Sequence, residues 1–239
     1  MYAYTKSLSL SLPALRSMAR HARREDKTSK SRRRPGAQPG AAMHWLFSDE
    51  HGLDYVAQLD ALLTSRGAGL RNGAPVAHHM LVGVSPEWIE ETGGLHDARN
   101  PRNADLLSAA VGWAQLWSGQ CVLAGRLDLD ETGGAVADVL VAPVREERHR
   151  SGSCRNVVSV NKALEDLSVR YVGSKGQHYA ALNTGWAEYA SLVLDQRLRR
   201  GEPVEESGRR HIPPDILRRK LQAEQAALEA LIKAQLGIK

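Results

Sequence analysis

The chain has 239 residues, 42% of them hydrophobic and 25% charged, with a formal charge of +5; that length makes one large domain or two small ones. No apolar run approaches the roughly 18–20 residues of a membrane helix, and Cys121 and Cys154, the two cysteines, are too few for a disulfide framework and lack zinc-ligand spacing. A membrane-spanning protein, a cysteine-stapled secreted module and a zinc finger are excluded, and a cytoplasmic, reducing compartment is expected.

Tyr2 to Leu12 alternates in polarity and predicts a first strand, after which Pro13 opens a short helix through Glu25. The alternating Ser-Leu run at 7–12 is too polar for a signal-peptide core; an organellar transit peptide stays open as an alternative for this Arg-rich start. Residues 27–42, rich in Gly and Pro, read as a flexible basic loop. Residues 1–42 carry ten Lys/Arg against two acids, while the remaining 197 hold 22 basic and 25 acidic groups. The cluster is densest in Arg20, Arg23, Arg24, Lys27, Lys30, Arg32, Arg33 and Arg34. Such a cluster attracts a polyanion, with affinity that falls steeply with salt; a solvated basic tail is the plainer alternative.

Further along, helical spacing marks 53–66 and 103–117, and His79 to Val84 reads as a strand closed by Ser85-Pro86. Strands at 120–130 and 136–144 form a hairpin around a Gly-containing turn. Helices follow at 160–172 and 177–199, and Pro213-Pro214 starts a last helix over 213–239. Its stripe of Leu217, Leu221, Leu228 and Leu231 could begin a coiled coil and carry a homodimer, or could simply pack. The expected class is α+β, an antiparallel sheet flanked by helices, with a C-terminal helix.

The hairpin carries the chemistry. With a turn centred on Gly133, Leu127 faces Val139 and Asp128 lies directly opposite Asp138. Like charges in that position are destabilising unless they bind a cation or share a proton. Glu131 at the turn could add a third oxygen, and an all-oxygen set favours Mg²⁺ or Mn²⁺ over zinc. The alternative is a shifted register in which these are solvated strand-end acids. His78-His79 at a strand start, and Trp113 and Trp117 one helical turn apart, read as structural. His149 and His178 lack motif spacing.

The run LDLDETGGAVADVLVAP, preceded by a Trp-containing helix and a strand, resembles the metal motif of the Mob/Pre plasmid mobilisation and recombination enzymes. These are relaxases, which cut one DNA strand at a plasmid origin of transfer. Three further segments agree in order. Ala19-Arg-His-Ala-Arg-Arg-Glu25 is similar to the family's N-terminal His-x-x-Arg element, and Leu81-Val-Gly-Val-Ser-Pro-Glu-Trp88 to its central strand. Arg200-Gly-Glu-Pro-Val-Glu-Glu-Ser-Gly-Arg-Arg-His211 resembles the segment that closes the relaxase domain, here residues 1–212.

The resemblance implies a relaxase-like sheet with a divalent metal on its central hairpin, and plasmid DNA, single-stranded at the nick region, as partner. It assigns the nucleophile to His21, whose attack would leave a covalent phosphoramidate, and phosphate contacts to Arg20, Arg23 and Arg24. Tyr2 and Tyr4 are alternative nucleophiles, as in other relaxases. The chain departs from the pattern: Asp128 and Asp138 stand where the family has histidines, Asp130 and Glu131 are kept, and none of the three metal-binding histidines is present. Either carboxylates have replaced imidazoles, leaving Asp128, Glu131 and Asp138 as a weaker Mn²⁺ or Mg²⁺ site, or the chain binds DNA without cutting it. A third reading is a fragment, since family members often continue into a long coiled coil.

Overall fold

The computed structural model describes residues 1–148 and 152–201. The expected 213–239 helix, most of the Arg200–His211 segment and His149 lie outside the described residues.

The alternating start forms β1 (Tyr2–Leu10), and Ser11 caps α1 (Leu12–Ala22) by accepting from the Ala14 amide. The segment read as a flexible loop is instead organised. Asp26 caps α2 (Lys27–Arg32) by accepting from the Ser29 amide at 3.0 Å. The Arg34 amide then donates to the Asp130 carbonyl at 2.7 Å, and Thr132 donates through its amide to the Arg32 carbonyl at 2.9 Å. Backbone hydrogen bonds therefore fasten the basic stretch to the hairpin, a placement that composition could not reveal.

Next come β2 (Ala42–Leu46), α3 (Tyr55–Arg66), β3 (Ala68–Gly69), β4 (Ala77–Val84), α4 (Pro86–Glu90) and α5 (Pro101–Ser118). The hairpin is β5 (Val122–Asp128) and β6 (Val136–Val141). The expected second strand stops short because Pro143 has no amide to donate, and β7 (Val144–Arg148) pairs instead with β8 (Cys154–Val158). Two helices, α6 (Val160–Val172) and α7 (His178–Val193), precede β9 (Arg199–Arg200). Helix α7 ends earlier than the expected residue 199. There Asp195 accepts from the Trp88 indole at 3.1 Å and the Arg197 amide at 2.9 Å, turning the chain so that β9 runs along β1.

The main sheet has the order β2-β5-β6-β4-β1-β9, antiparallel except at β1–β9, and a smaller sheet runs β3-β8-β7. The class is α+β, a mixed sheet flanked by helices. Period-two alternation gives the main sheet two different faces. Gly125, Met80 and Val82 belong to the face that packs on α5 and α7, around the buried Trp113 and Trp186. Ala124, Arg126 and Asp128, with Asp138 and Leu140, point the other way, toward Met18, His21 and Ala22 of α1 and Tyr55 of α3. The titratable side chains thus gather on one face of the hairpin, among Ala22, Tyr55, Ala124 and Leu140, and the tryptophans lie on the other.

Gly125 is where α5 comes closest. A Cβ there would stand 2.5 Å from Val111 Cγ2 and 3.3 Å from Leu107 Cδ1. Gly125→Ala is expected to destabilise the chain by about 1–3 kcal/mol through overpacking, read as a lower urea midpoint at unchanged slope.

Candidate functional site

The hairpin register places Arg126, not Asp128, opposite Asp138, and Leu127 opposite Ala137. This corrects the expected facing pair Asp128–Asp138. The turn is centred one residue earlier than Gly133, so the partner strand slides by two and every side chain keeps its face. Direct opposition of two carboxylates is avoided by setting a guanidinium across from one of them. The loop between the strands is anchored at its two ends rather than a tight turn, with Gly133 exposed between them: Leu129 donates its amide to the Ala41 carbonyl at 2.9 Å, Ala135 accepts from the Val84 amide at 3.0 Å, and Asp130 is fully buried.

Arg24 organises the acids. Just beyond α1 the chain enters the left-handed region at Arg24 (φ 59°), a conformation costly for a residue with a Cβ. It aims the side chain, 8% exposed, into the hairpin. Arg24 Nη1 donates to Glu131 at 2.7 Å, Nη2 lies 2.7 Å from Asp128 Oδ1 and also bonds Asp130, and Nε donates to Asp130 at 3.1 Å. Desolvation opposes the charge of Arg24, but Asp130 and the neighbouring carboxylates more than restore it. Asp130 is raised by burial yet pulled below its ordinary value by Arg24 and the Gly40 amide. Asp128 is pushed up, chiefly by burial, against the pull of Arg126.

His21 sits in the last turn of α1 and is partly exposed. Its Nδ1 is 3.2 Å from Asp26 Oδ2, a charge contact without hydrogen-bond alignment, and its Nε2 is 3.5 Å from Glu131 Oε1. Glu131 is the main cause of a raised imidazole pKa, opposed by burial and reinforced by Asp26. Asp26 itself is raised by burial, but donors from Ser29 and the charge of His21 hold it at about 2. Opposite, His79 Nε2 lies 2.7 Å from Asp138 Oδ1. A cavity of about 10 Å³ is lined by His21, Tyr55, His79, Arg126, Asp128 and Asp138. That is the lower limit of space for one water.

The expected metal donors Asp128, Glu131 and Asp138 are each already engaged by a cationic or imidazole side chain. Arg24 links the first two, and His79 takes the third. Among the described residues no three His, Cys, Asp or Glu side chains are grouped to hold a metal ion. A divalent ion on Asp128 and Glu131 would have to displace the guanidinium that joins them, beside a second buried guanidinium at Arg126. This donor set does not fit a metal as arranged.

The expected phosphate-binding arginines separate into two groups. Arg24 is consumed inside the site, and Arg23 is clamped on Glu25 at 2.7 Å. Arg34 bonds the Leu129 carbonyl at 2.8 Å. Arg20, Arg32 and Arg33 are exposed, the last two beside the hairpin loop through the Arg33–Glu131 bridge. Neither Tyr2 nor Tyr4 lines the cavity; Tyr4 packs on Gly83, and burial raises its pKa. Trp113 is core, as expected. His78 is buried and pushed down to about 4, mainly by burial. His79, read as structural, is instead at the site on Asp138, and no role was expected for Asp26 or Arg126. For Arg126 a signal existed, since it shares strand parity with Asp128.

The fold around this site is that of a relaxase domain. The chain is similar to the MobM relaxase domain (MOBV; Mob_Pre) in Mn-bound crystal structures with plasmid pMV158 oriT DNA. With the 22-nucleotide DNA carrying a 3′-thiophosphate the TM-score is 0.60 at 14% identity, over 92% of this chain and 99% of that one. With the 22-nucleotide DNA at pH 4.6 it is 0.59 at 14%, over 92% and 100%, and with the 23-nucleotide DNA 0.57 at 13%, over 93% and 99%. No family model matches the sequence, and no curated protein matches it. Among the described residues no helix is long and apolar enough to cross a membrane.

Proposed function

We propose that this chain is a relaxase-type DNA-processing protein, which binds plasmid DNA at a single-stranded nick region and cuts and rejoins one strand through His21. The observation that carries this reading is the placement of His21. It stands over the carboxylate face of the hairpin with Asp26 at Nδ1, in a fold whose solved examples hold plasmid DNA. Neutral imidazole protonated on Nδ1 presents a lone pair at Nε2. Attack on phosphorus forms a P–N bond as a P–O bond to the departing sugar oxygen breaks, and that oxygen takes its proton from solvent. The imidazolium phosphoramidate is stabilised by the negative charge of Asp26 on its Nδ1 side, and return of the sugar hydroxyl restores the strand. Exposed Arg20, Arg32 and Arg33 supply sequence-independent phosphate contacts.

A second reading, DNA binding without cutting, is favoured by one observation: the two carboxylates beside His21 favour its protonated form, which is not a nucleophile. Supercoiled plasmid carrying the DNA upstream of this gene separates the two. Conversion to open circles supports the enzyme, whereas salt-sensitive binding with no open circles supports the binding module. The imidazole must be neutral to attack, and its pKa is raised. Cleavage should therefore increase with pH through a midpoint above the ordinary histidine value of 6.5. A midpoint at or below that value removes the proposed influence of Glu131.

A further inference from the structure

Arg126 is a buried cation with one hand free. Its side chain is 3% exposed; Nε bonds Asp128, and Nη1 donates to the Ala22 carbonyl at 2.6 Å. Nη2 is buried with no partner. A buried donor without an acceptor is unfavourable and calls for an occupant. The same residue lines the cavity of about 10 Å³ beside His21 and His79, a volume on the scale of one oxygen atom.

We propose that Arg126, rather than a divalent metal ion, receives the phosphate: a non-bridging oxygen of the DNA phosphodiester enters this cavity and accepts from Nη2, next to His21 Nε2. The proposal rests on the relaxase reading and deepens it. The surrounding acids are turned away from the incoming oxygen: Arg24 holds Asp128, Asp130 and Glu131, and Asp138 is engaged by His79, so the positive group that meets the anion is Arg126 itself. A guanidinium in a dry site offers a fixed positive charge and oriented donors, which serve both phosphate binding and a developing oxyanion. The two arginines thus stand where a metal would otherwise be needed to neutralise the hairpin.

Two measurements on the full chain test this. In the first, Mn²⁺ is added and the free ion is followed by electron paramagnetic resonance. In the second, binding of a fluorescein-labelled oligothymidylate is followed by anisotropy at low salt, with EDTA or with Mn²⁺. The expected results are no Mn²⁺ uptake by the wild type and equal oligonucleotide affinity in both conditions. Arg126→Lys, which keeps the charge but loses the planar donor set, should bind about tenfold more weakly. Arg24→Gln, which uncovers Asp128, Asp130 and Glu131, should acquire Mn²⁺ uptake. If that variant fails to fold, the wild type and Arg126→Lys decide alone. Mn²⁺ uptake by the wild type that Asp128→Asn removes, EDTA-sensitive oligonucleotide binding, or unchanged affinity in Arg126→Lys each overturns the proposal and leaves the relaxase reading intact. Failure of the wild type to bind oligothymidylate in either condition overturns the relaxase reading itself.

Discussion

His21→Ala is expected to reduce strand cleavage by about a thousandfold or more while leaving single-stranded oligonucleotide binding nearly unchanged. The substitution removes Nε2, the atom that would bond to phosphorus, and leaves the exposed Arg32 and Arg33 in place. It keeps the Ser29 amide cap on Asp26 Oδ1 and removes only the charge contact at Oδ2, so α2 is loosened slightly rather than lost. The stability effect has its own pH signature. Because the folded-state pKa of His21 is raised, its contribution is fully present below the unfolded value of 6.5 and is lost as pH rises through the folded value. The variant should therefore be most destabilised in mild acid and approach the wild type in alkali, as read by urea unfolding at several pH values. Normal plasmid nicking by the variant would remove His21 from the mechanism.

Arg24→Ala should be among the most damaging substitutions, lowering stability by about 3–5 kcal/mol. It leaves Asp128, Asp130 and Glu131 packed around a vacated guanidinium, with Asp130 fully buried. Two comparisons separate charge from backbone. Arg24→Gly loses the same ion pairs but accepts the left-handed φ of 59° more readily, and should recover about 1 kcal/mol relative to alanine. Acid is the second. The depressed pKa of Asp130 contributes stability above its unfolded value of 3.8, which disappears as pH falls through the lower folded value. The wild type should therefore lose its advantage over Arg24→Ala in strong acid. Equal stability of the two at neutral pH would show that Arg24 does not hold the loop.

The strands and helices with clean periodicity were legible in advance: α6 at 160–172 was read to the residue, and β1, α3, β4 and α5 to within about two residues at most ends. The elements that were missed are short or take their identity from a distant partner. Nothing local in Ala42–Leu46 announces that it pairs with β5, and α2 depends on one Asp26 cap and on anchoring to residues about a hundred positions away. The hairpin itself was legible and its register was not, since a two-residue slide preserves the alternation from which strands are read. That slide decides the chemistry. It places Arg126 between two aspartates that sequence alone sets face to face. Arg24 was assigned to DNA phosphate from its neighbours, but a positive φ, invisible in composition, turns it inward.

Asp26 holds two positions at once. One carboxylate oxygen accepts from the first turn of α2, and the other faces His21. Asp26 adds to the proton affinity that Glu131 mainly sets and also caps the helix, so by reciprocity the two must bias each other. Protonating His21 strengthens the hold on Asp26 and so on the start of α2. Conversely, whatever draws Arg32 and the end of α2 away from the hairpin loosens Asp26 and makes the imidazole less basic. The strand that engages the basic residues would thereby tune the readiness of the nucleophile some ten positions upstream in the chain.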